Sequence, residues 1–281
     1  LKQGENNIGN RVKAKVIKDL FDTLKENITT CTLTFDIDGI KVREICNKTD
    51  AAINLFIDGK TPGTELFPYI CNDAVHIGVD LSEIQKILKN VNKDAILTMY
   101  YDDNDKNSLC IEIDDTAKRS INEYRVAITE RENRFFVPKE EKYYPVQVML
   151  SSSFFKKKLQ EFNSLGGNNP LTIMVSNNML ELQRKGENIQ KGRSIIRENG
   201  IDLIKIVYNE SVLEDDDDED DEIVIGGKYS IKDIVKFTKC SSLSSQIILL
   251  MGNGLPMIIK YNISNMGVIK LILHCEPLEK F

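Results

Sequence analysis

The feature that most constrains this chain is a helix pattern that occurs twice along it. Four segments place apolar residues at helical spacing and carry lysines on their other faces. Lys15 in the first helix and Ser153 in the third are 138 residues apart, while Leu81 in the second and Ile231 in the fourth are 150 apart. The difference of about 12 residues roughly matches an acidic insertion in the second half. The pattern predicts the internal duplication of one α+β unit.

Each of the four helical segments has one apolar stripe. The second opens with Asp80-Leu81-Ser82-Glu83, which resembles a capping box, and the third follows the serines at 151–153. The stripes are formed by Ile17, Leu20, Phe21 and Leu24; by Ile84, Ile87 and Leu88; by Phe155, Leu159 and Phe162; and by Ile231, Ile234 and Val235.

Between the helices, the chain alternates apolar and polar residues in short runs that turns separate. This pattern is typical of antiparallel strands joined as hairpins, so we expect an α+β fold. The last strand should run from Gly267 to His274. The predicted hairpin turns lie at Asp38-Gly39, at 102–107, at Asn177-Asn178 and at 252–254.

The repeat and the composition between its copies predict the domain organisation. Residues 1–129 should form the first domain and residues 146–281 the second. The charged and aromatic segment 130–145, with prolines at 138 and 145, should be the connector. Within the second domain, residues 214–222 are nine consecutive acids, which we interpret as a solvated loop.

The charge distribution favours a nucleic-acid partner although the net charge of the chain is −6. The acidic loop alone contributes −9, so the rest of the chain sums to +3. If the four lysine-bearing helices share one surface, their lysines form a basic track for phosphates. Binding to such a track would be independent of sequence and sensitive to salt.

Catalysis finds little support in the residues. The two histidines, His76 and His274, stand in strand-like contexts, and none of the common nucleophile, phosphate-loop or zinc-protease motifs occurs. The six cysteines are scattered without a CxxC pair, which predicts free thiols in a reducing compartment and neither a disulfide framework nor a metal site. We therefore expect a protein that is not an enzyme and needs no cofactor. Because the chain begins with Leu1, we also expect residues to precede it.

At this point the sequence resembles a known family, the sliding DNA clamps of the proliferating cell nuclear antigen (PCNA) type. The resemblance runs from about Val12 to Cys275, and the acidic loop lies where the family carries one. The most specific matches are Ile77-Gly78-Val79-Asp80-Leu81-Ser82-Glu83-Ile84-Gln85-Lys86-Ile87-Leu88-Lys89, then 237–245, and the block 255–267 with its proline, apolar strand, Tyr261 and Met266-Gly267.

The resemblance implies a duplicated clamp fold that assembles as a homotrimeric ring around duplex DNA. Antiparallel sheets would form the outer wall, and the helices, two from each domain, would face the pore. It implies a processivity factor for DNA polymerase that a clamp loader places on DNA. Such a protein would act in replication and DNA repair and would have no membrane partner. The expected location is the nucleus or, for a viral protein, the host nucleus or a cytoplasmic replication site. By matching position, the DNA-binding residues would be Lys18, Lys25, Lys86, Lys89, Lys157, Lys232 and Lys239, with Lys236 added from its spacing alone.

The resemblance also implies a pocket for short peptides of partner proteins. Thr49 and Asp50 replace a His-Val pair that is common in cellular clamps, and His274 stands where a small residue is usual. The pocket would be formed by Ile45, Phe135, Val137, Pro138, Pro256, Ile272 and His274.

Two apolar strands predict how subunits meet. Residues 124–128 and 201–208 should each leave an open sheet edge, and unlike edges that pair head to tail can close a ring. The predicted interface residues are Tyr124, Val126, Ile128, Ile204 and Ile206.

Three alternatives to a homotrimer remain open from the sequence. The chain could be one subunit of a heterotrimeric checkpoint-type clamp or a monomeric processivity factor of the viral type. It could also be an enzyme that uses the carboxylates of Asp36 and Asp38.

Overall fold

The computed structural model describes residues 10–46, 51–60, 69–102, 105–130, 137, 139–200, 202–209, 211 and 223–278. The chain divides into two compact units. Unit 1 comprises residues 1–48, 53–136 and 262–269, and unit 2 comprises residues 49–52, 137–261 and 270–281.

The first half of the chain follows the order strand, helix, four strands, helix, three strands. The predicted helices at Ile17 and Ile84 are confirmed. The elements are β1 (Asn10–Lys13), α1 (Ala14–Asn27), β2 (Thr30–Asp36), β3 (Gly39–Ile45), β4 (Ala51–Asp58), β5 (Val75–Asp80), α2 (Leu81–Leu88), β6 (Ile96–Asp102), β7 (Asp105–Asp115) and β8 (Ser120–Ala127).

The second half repeats this order with one additional strand. A 3₁₀ turn at Glu141–Tyr143 precedes it, and another at Thr238–Ser242 continues its second helix. The elements are β9 (Val146–Ser151), α3 (Ser152–Asn163), β10 (Leu171–Ser176), β11 (Met179–Arg184), β12 (Gly192–Arg197), β13 (Leu203–Tyr208), β14 (Ile225–Tyr229), α4 (Ile231–Phe237), β15 (Gln246–Met251), β16 (Met257–Ile263) and β17 (Gly267–Leu273).

The sheets show that the two halves have the same topology. In the first half, the strand orders are β1-β6-β7-β8 and β4-β3-β2-β5, and in the second they are β9-β15-β16-β17 and β12-β11-β10-β14. Replacing each strand by its counterpart in chain order converts one pair of sheets into the other. The additional strand is β13, which pairs with β9. The predicted duplication of an α+β unit is therefore confirmed.

Two isolated bridges occupy equivalent places in the two copies. In unit 1, Thr129 pairs with Gly78 of β5, and in unit 2, Glu276 pairs with Lys228 of β14. In both copies, a residue two or three positions after the last strand thus bonds to the strand that leads into the second helix. Gly78 is required there because a Cβ on it would lie 2.0 Å from the Thr129 carbonyl oxygen.

Each helix buries most of its predicted apolar stripe within its own unit, and only Ile87 of α2 and Val235 of α4 are half-buried among these stripe residues. Ile17, Leu20 and Leu24 of α1 are at most 2% exposed, and Phe155 and Leu159 of α3 are fully buried. The predicted cap of α2 is present, because the Asp80 carboxylate accepts from Ser82 N–H at 2.7 Å. No helix in the described residues is long and apolar enough to cross a bilayer.

The predicted hairpins at 38–39 and 177–178 are confirmed, and the residues of the second turn fit its backbone. Asn177 and Asn178 have φ values of 45° and 58°, a left-handed conformation that Asn tolerates better than most residues. One difference from the sequence analysis is β12, which we did not predict. Its run of apolar residues is only Ile195-Ile196, between Arg193 and Arg197.

Candidate nucleic-acid and partner interfaces

The solvent-facing surfaces of α1 and α2 are connected by polar contacts that use two of the predicted DNA-binding lysines. Lys18 Nζ donates to the carbonyl oxygen of Lys89 at 2.9 Å, at the C-terminus of α2. A cation is favoured there because the last carbonyl groups of a helix carry partial negative charge. The ammonium of Lys18 is therefore partly committed to holding the helix pair together.

Gln85 forms the second bridge between these helices. Its Oε1 atom accepts from Lys25 Nζ, and its Nε2 atom donates to the Asp22 carboxylate at 2.7 Å. The amide thus joins a cation and an anion of α1 through one side chain of α2. Gln85 was not predicted from the sequence, because a glutamine on the polar side of a helix has no distinctive signal.

The other two predicted lysines of unit 1 lie at the end of α2. Lys86 pairs with Glu83 at 2.7 Å, and this hydrogen bond raises the pKa of the Lys86 ammonium. Lys89, which follows the helix, is exposed. Most of the positive charge on this surface therefore has an acidic or hydrogen-bonding neighbour.

On α3 and α4, Lys158 pairs with Glu161 at 2.7 Å, but the predicted DNA-binding lysines have weaker acidic partners than those on α1 and α2. Lys157 is exposed, and Lys232 Nζ donates to a neutral partner, Asn168 Oδ1, at 2.8 Å. Lys236 lies 3.6 Å from Asp233, too long for a strong ion pair. Lys239, in the 3₁₀ turn after α4, is also exposed.

Arg184 holds the loop that carries Asn168 in place. Its side chain is buried and donates to three main-chain carbonyl oxygens, those of Phe162 at 2.6 Å, Gly167 at 2.9 Å and Asn169 at 2.9 Å. Because a buried cation is costly unless its donors are satisfied, these bonds fix both the side chain and the loop. The position of Asn168 beside Lys232 therefore depends on a residue that sequence analysis did not identify.

The predicted peptide pocket is described only in part. Phe135 and Pro138 lie outside the described residues, and Ile45, in unit 1, is exposed. In unit 2, Val137 is 63% exposed and His274 is exposed, whereas Ile272 is buried.

Ile272 is part of an apolar cluster of unit 2 that lies next to Pro256. The cluster contains Ala52, Tyr144, Leu250, Ile258 and Ile272, with Leu255 packed against it. The Tyr144 hydroxyl donates to the carbonyl oxygen of Pro256 at 2.8 Å. The Pro256 main chain is therefore fixed to the same cluster that buries Ile272.

Glu141 attaches the end of the predicted connector to two strands. Its carboxylate pairs with Lys260 of β16 at 2.9 Å and with Lys270 of β17 at 2.5 Å. Burial raises the pKa of the Glu141 carboxyl, but the hydrogen bonds from Lys270 and Lys260 outweigh this effect, and the pKa lies below its ordinary value. Because Glu141 begins the turn that leads to Tyr144, this cluster helps to position Tyr144 and Pro256.

Three terminal strands bear on the predicted subunit interface. β8 ends the order β1-β6-β7-β8, β12 ends β12-β11-β10-β14, and β13 pairs with β9. On β8, Tyr124 is exposed and Val126 is buried, and Ile128 follows the strand. On β13, Ile206 is buried, while the side chain of Ile204 is not among those the structure describes.

One main-chain donor of the terminal strand β13 is already occupied by a side chain. The main-chain N–H of Ile206 in β13 donates to the Glu198 carboxylate at 3.0 Å. On β12, Ile195 is 44% exposed. A side chain thus already satisfies one donor of β13, which makes β13 a poorer template for strand pairing.

The carboxylates of Asp36 and Asp38 are engaged in a lysine cluster. Lys41 lies 2.6 Å from Asp36 and 3.1 Å from Asp38, and Lys60 lies 2.5 Å from Asp38. These ion pairs hold the hairpin between β2 and β3. In the part of the chain that the structure describes, no group of three or more His, Cys, Asp or Glu residues could hold a metal ion.

Comparisons with known proteins cover both halves of the chain. The family model described as proliferating cell nuclear antigen, N-terminal domain, matches residues 9–133, and the model of the C-terminal domain matches residues 138–275.

Individual relatives match at low identity but over nearly their whole length. The chain is 23% identical over 268 residues to the proliferating cell nuclear antigen of Chaetomium thermophilum, covering 93% of this chain and 94% of that protein. It is 25% identical over 254 residues to the protein of the same name from Saccharomyces cerevisiae, covering 90% and 92%. It is 20% identical over 262 residues to the probable DNA polymerase sliding clamp 1 of Paramecium bursaria Chlorella virus 1, covering 93% and 94%.

The ion cluster of Glu141 generates a prediction about stability and pH. Because the pKa of Glu141 is lowered in the folded chain, its carboxylate stabilises the fold above the ordinary pKa of 4.5. This contribution is lost as the pH falls through the lower folded-state pKa. We expect Glu141→Gln to lower the free energy of unfolding by about 1 kcal/mol at pH 7. The difference from the parent should disappear at the acid end of a pH series, measured by thermal unfolding.

Glu140→Gln is the matched control, because Glu140 is exposed and pairs with exposed Lys142 at 2.6 Å. We expect it to change stability by less than about 0.5 kcal/mol. A destabilisation in Glu141→Gln that stayed constant from pH 7 to the acid end would contradict the electrostatic role of Glu141.

Proposed function

This chain belongs to the proliferating cell nuclear antigen family, and we propose that it closes as a homotrimeric ring around duplex DNA and tethers DNA polymerase and other replication or repair enzymes there. As a sliding clamp it is not an enzyme, and its function depends on surfaces. The observation that carries the proposal is the duplicated fold, in which each copy presents a helix pair with lysines opposite its buried face. We expect the protein to act in the nucleus or, if it is viral, at the site of viral replication.

We infer that the ring closes by pairing β8 of one subunit with β12 of the next. The correspondence of the two copies makes β12 the counterpart of β4 and β8 the counterpart of β17. In unit 1, β4 runs beside the chain at 262–269, where Asp58 N–H donates to Met266 O at 2.7 Å. Pairing β8 with β12 would repeat, between subunits, the contact that β4 makes with residues 262–269 inside unit 1.

The occupied edge of β13 also favours β12 as the partner of β8. Since Glu198 accepts from the main chain of β13, pairing there would require that bond to break. We therefore propose Ile195 on β12 in place of Ile204 and Ile206 as the counterpart of Tyr124 and Val126. Unlike edges that pair head to tail close a ring when the rotation permits, and the family resemblance implies closure at three subunits.

A pair of matched substitutions tests this assignment. Ile195→Asp in β12 and Val207→Asp in β13 each place a charge on an exposed apolar position, 44% and 37% exposed respectively. We expect Ile195→Asp to yield monomers at micromolar concentration, because an unpaired charge buried in the interface costs several kcal/mol. Val207→Asp should leave the trimer intact. Light scattering measures both, and the reverse outcome would assign the interface to β13.

The same measurement decides among the assemblies. A parent chain that stays monomeric alone at moderate salt would exclude the homotrimer. It would favour either a monomeric processivity factor or a subunit that needs different partner chains.

We propose that the helix surfaces bind DNA through phosphate contacts alone, without base preference.

Reversing Lys86 and Lys89 to Glu, or Lys232 and Lys236 to Glu, should shorten the retention of the clamp on circular DNA. All four side chains are exposed, so neither double variant should unfold the chain. The dependence of retention on salt should also become weaker, by roughly 0.9 in the logarithmic slope for each phosphate that a lysine no longer neutralises. Retention equal to that of the parent in both variants would remove the DNA-facing assignment of these helices.

We propose that partner proteins bind through short peptides at the predicted pocket. Val137, 63% exposed and preceded by Phe135 and Phe136, presents more apolar surface than a connector requires. In unit 2, the cluster around Ile272 and the Pro256 main chain offers a fixed apolar base. A partner peptide that forms a short helical turn could bind such a site by inserting one aromatic and one aliphatic side chain.

Truncating the connector side chains tests the pocket. We expect Phe135→Ala combined with Val137→Ala to weaken binding of a glutamine-led aromatic peptide by about 2 kcal/mol, roughly thirtyfold. Isothermal titration measures the affinity, and light scattering shows that the trimer persists. Val207→Ala serves as the control, with unchanged affinity. If the double variant binds as tightly as the parent, the pocket lies elsewhere.

A further inference from the structure

The helix surfaces of the two units carry different net charges. α1 and α2, together with Asp80 and Lys89 at the ends of α2, contain five lysines and five carboxylates. α3, α4 and the 3₁₀ turn that continues α4 contain six lysines and two carboxylates. The first surface is therefore neutral in sum, and the second has an excess of four positive charges.

On α1, the acidic residues lie on the same face of the helix as the lysines. Asp19 follows Lys15 by four residues, and Asp22 follows Lys18 by four. Glu26 lies four residues beyond Asp22. The carboxylates of this surface therefore reduce the field of its lysines at the place where a phosphate would approach.

The difference is largest at Lys25 and Lys232, because each unit also holds one short ion pair within a helix, which in unit 2 joins Lys158 to Glu161 at 2.7 Å. In unit 1, the Lys25 ammonium and the Asp22 carboxylate bond to the same amide of Gln85, and Lys86 pairs with Glu83. In unit 2, the hydrogen-bond partner of Lys232 is the neutral side chain of Asn168, so its charge is not compensated at that contact. Lys157 of the neighbouring helix α3 is exposed.

We propose that the two units share the DNA unequally, with the α3–α4 surface providing most of the phosphate binding and the α1–α2 surface acting as a nearly neutral wall. This inference rests on the proposed function, since it concerns how the same DNA is held. Asn168 has a specific role in it, because it fixes Lys232 through a hydrogen bond without cancelling its charge. Arg184 positions that contact by bonding the carbonyl oxygens of the neighbouring residues Gly167 and Asn169.

Two isosteric substitutions test the proposal, because each adds one negative charge to the neutral partner of a lysine. Asn168→Asp would neutralise Lys232 in unit 2, and Gln85→Glu would neutralise Lys25 in unit 1. Gln85→Glu also removes the amide donor to Asp22, so its melting temperature decides whether Lys25→Met replaces it. The probe is a fluorescein-labelled duplex of random sequence, and fluorescence anisotropy measures its affinity over a salt series. Melting temperature and trimer mass are recorded for every variant.

We expect Asn168→Asp to weaken binding to the duplex by about tenfold, since one lysine in each of three subunits stops neutralising a phosphate, and to lower the salt slope by roughly 2 to 3. Gln85→Glu should change the affinity by less than about twofold, because charges on that surface already cancel. Equal reductions in the two variants, or a larger reduction in Gln85→Glu, would overturn the unequal sharing.

Further variants separate charge from loop geometry. Asn168→Ala removes the hydrogen bond that fixes Lys232 but leaves its charge, so we expect a reduction in affinity of about threefold, clearly smaller than that of Asn168→Asp. A reduction as large as that of Asn168→Asp would overturn the charge argument. If a variant lowers the melting temperature, Lys232→Met and Lys25→Met repeat the comparison without adding a carboxylate, and the first should bind the duplex more weakly.

Different results would contradict the unequal sharing and the proposed DNA binding itself. If the parent shows no salt-dependent binding to the duplex, the proposed function itself fails. If the parent binds and both surfaces contribute equally, only the unequal sharing is wrong.

Discussion

Each helix buries one apolar stripe within its own unit, and this burial decides which side chains remain in contact with solvent. Leu24 of α1 and Phe155 of α3 are fully buried. At roughly 25 cal/mol per Å² of apolar surface, such side chains outweigh the small contributions of exposed ion pairs. The polar faces of the helices can therefore vary in charge with little effect on the fold, so those faces are free to serve function.

The sequence predicted the features whose cause is local. Helical spacing located all four helices because the stripe and the caps lie within a few residues of each other, as Asp80 and Ser82 do. The duplication followed from the offsets between those helices. The strand β12 was not predicted because only Ile195 and Ile196 supply its apolar signal between charged residues. Its importance comes from being the counterpart of β4, which is a property of the sheet order and not of its own residues.

Features that depend on distant residues could not be read from the sequence. Glu141 pairs with Lys260, which is 119 residues away, and Lys18 bonds to a carbonyl group 71 residues away. Arg184 would be taken for a solvated charge in an alternating strand, yet it is buried on three carbonyl oxygens. The lysines of the candidate DNA surface were predicted from the family resemblance by matching position, and Lys236 from its spacing alone. Their partners, which set how much charge each one offers, required the structure.

The internal duplication has a consequence for symmetry. A ring assembled from identical single units must place the same residues in every sector, so any change of charge is copied around the whole ring. Joining two copies in one chain removes this restriction, because the counterparts in the two halves are encoded separately. Gln85 could diverge towards holding its helices together while Asn168 and Lys232 diverged towards presenting charge. In the proposed trimer, fusion would thus give an assembly of six similar units the freedom to evolve two kinds of inner surface.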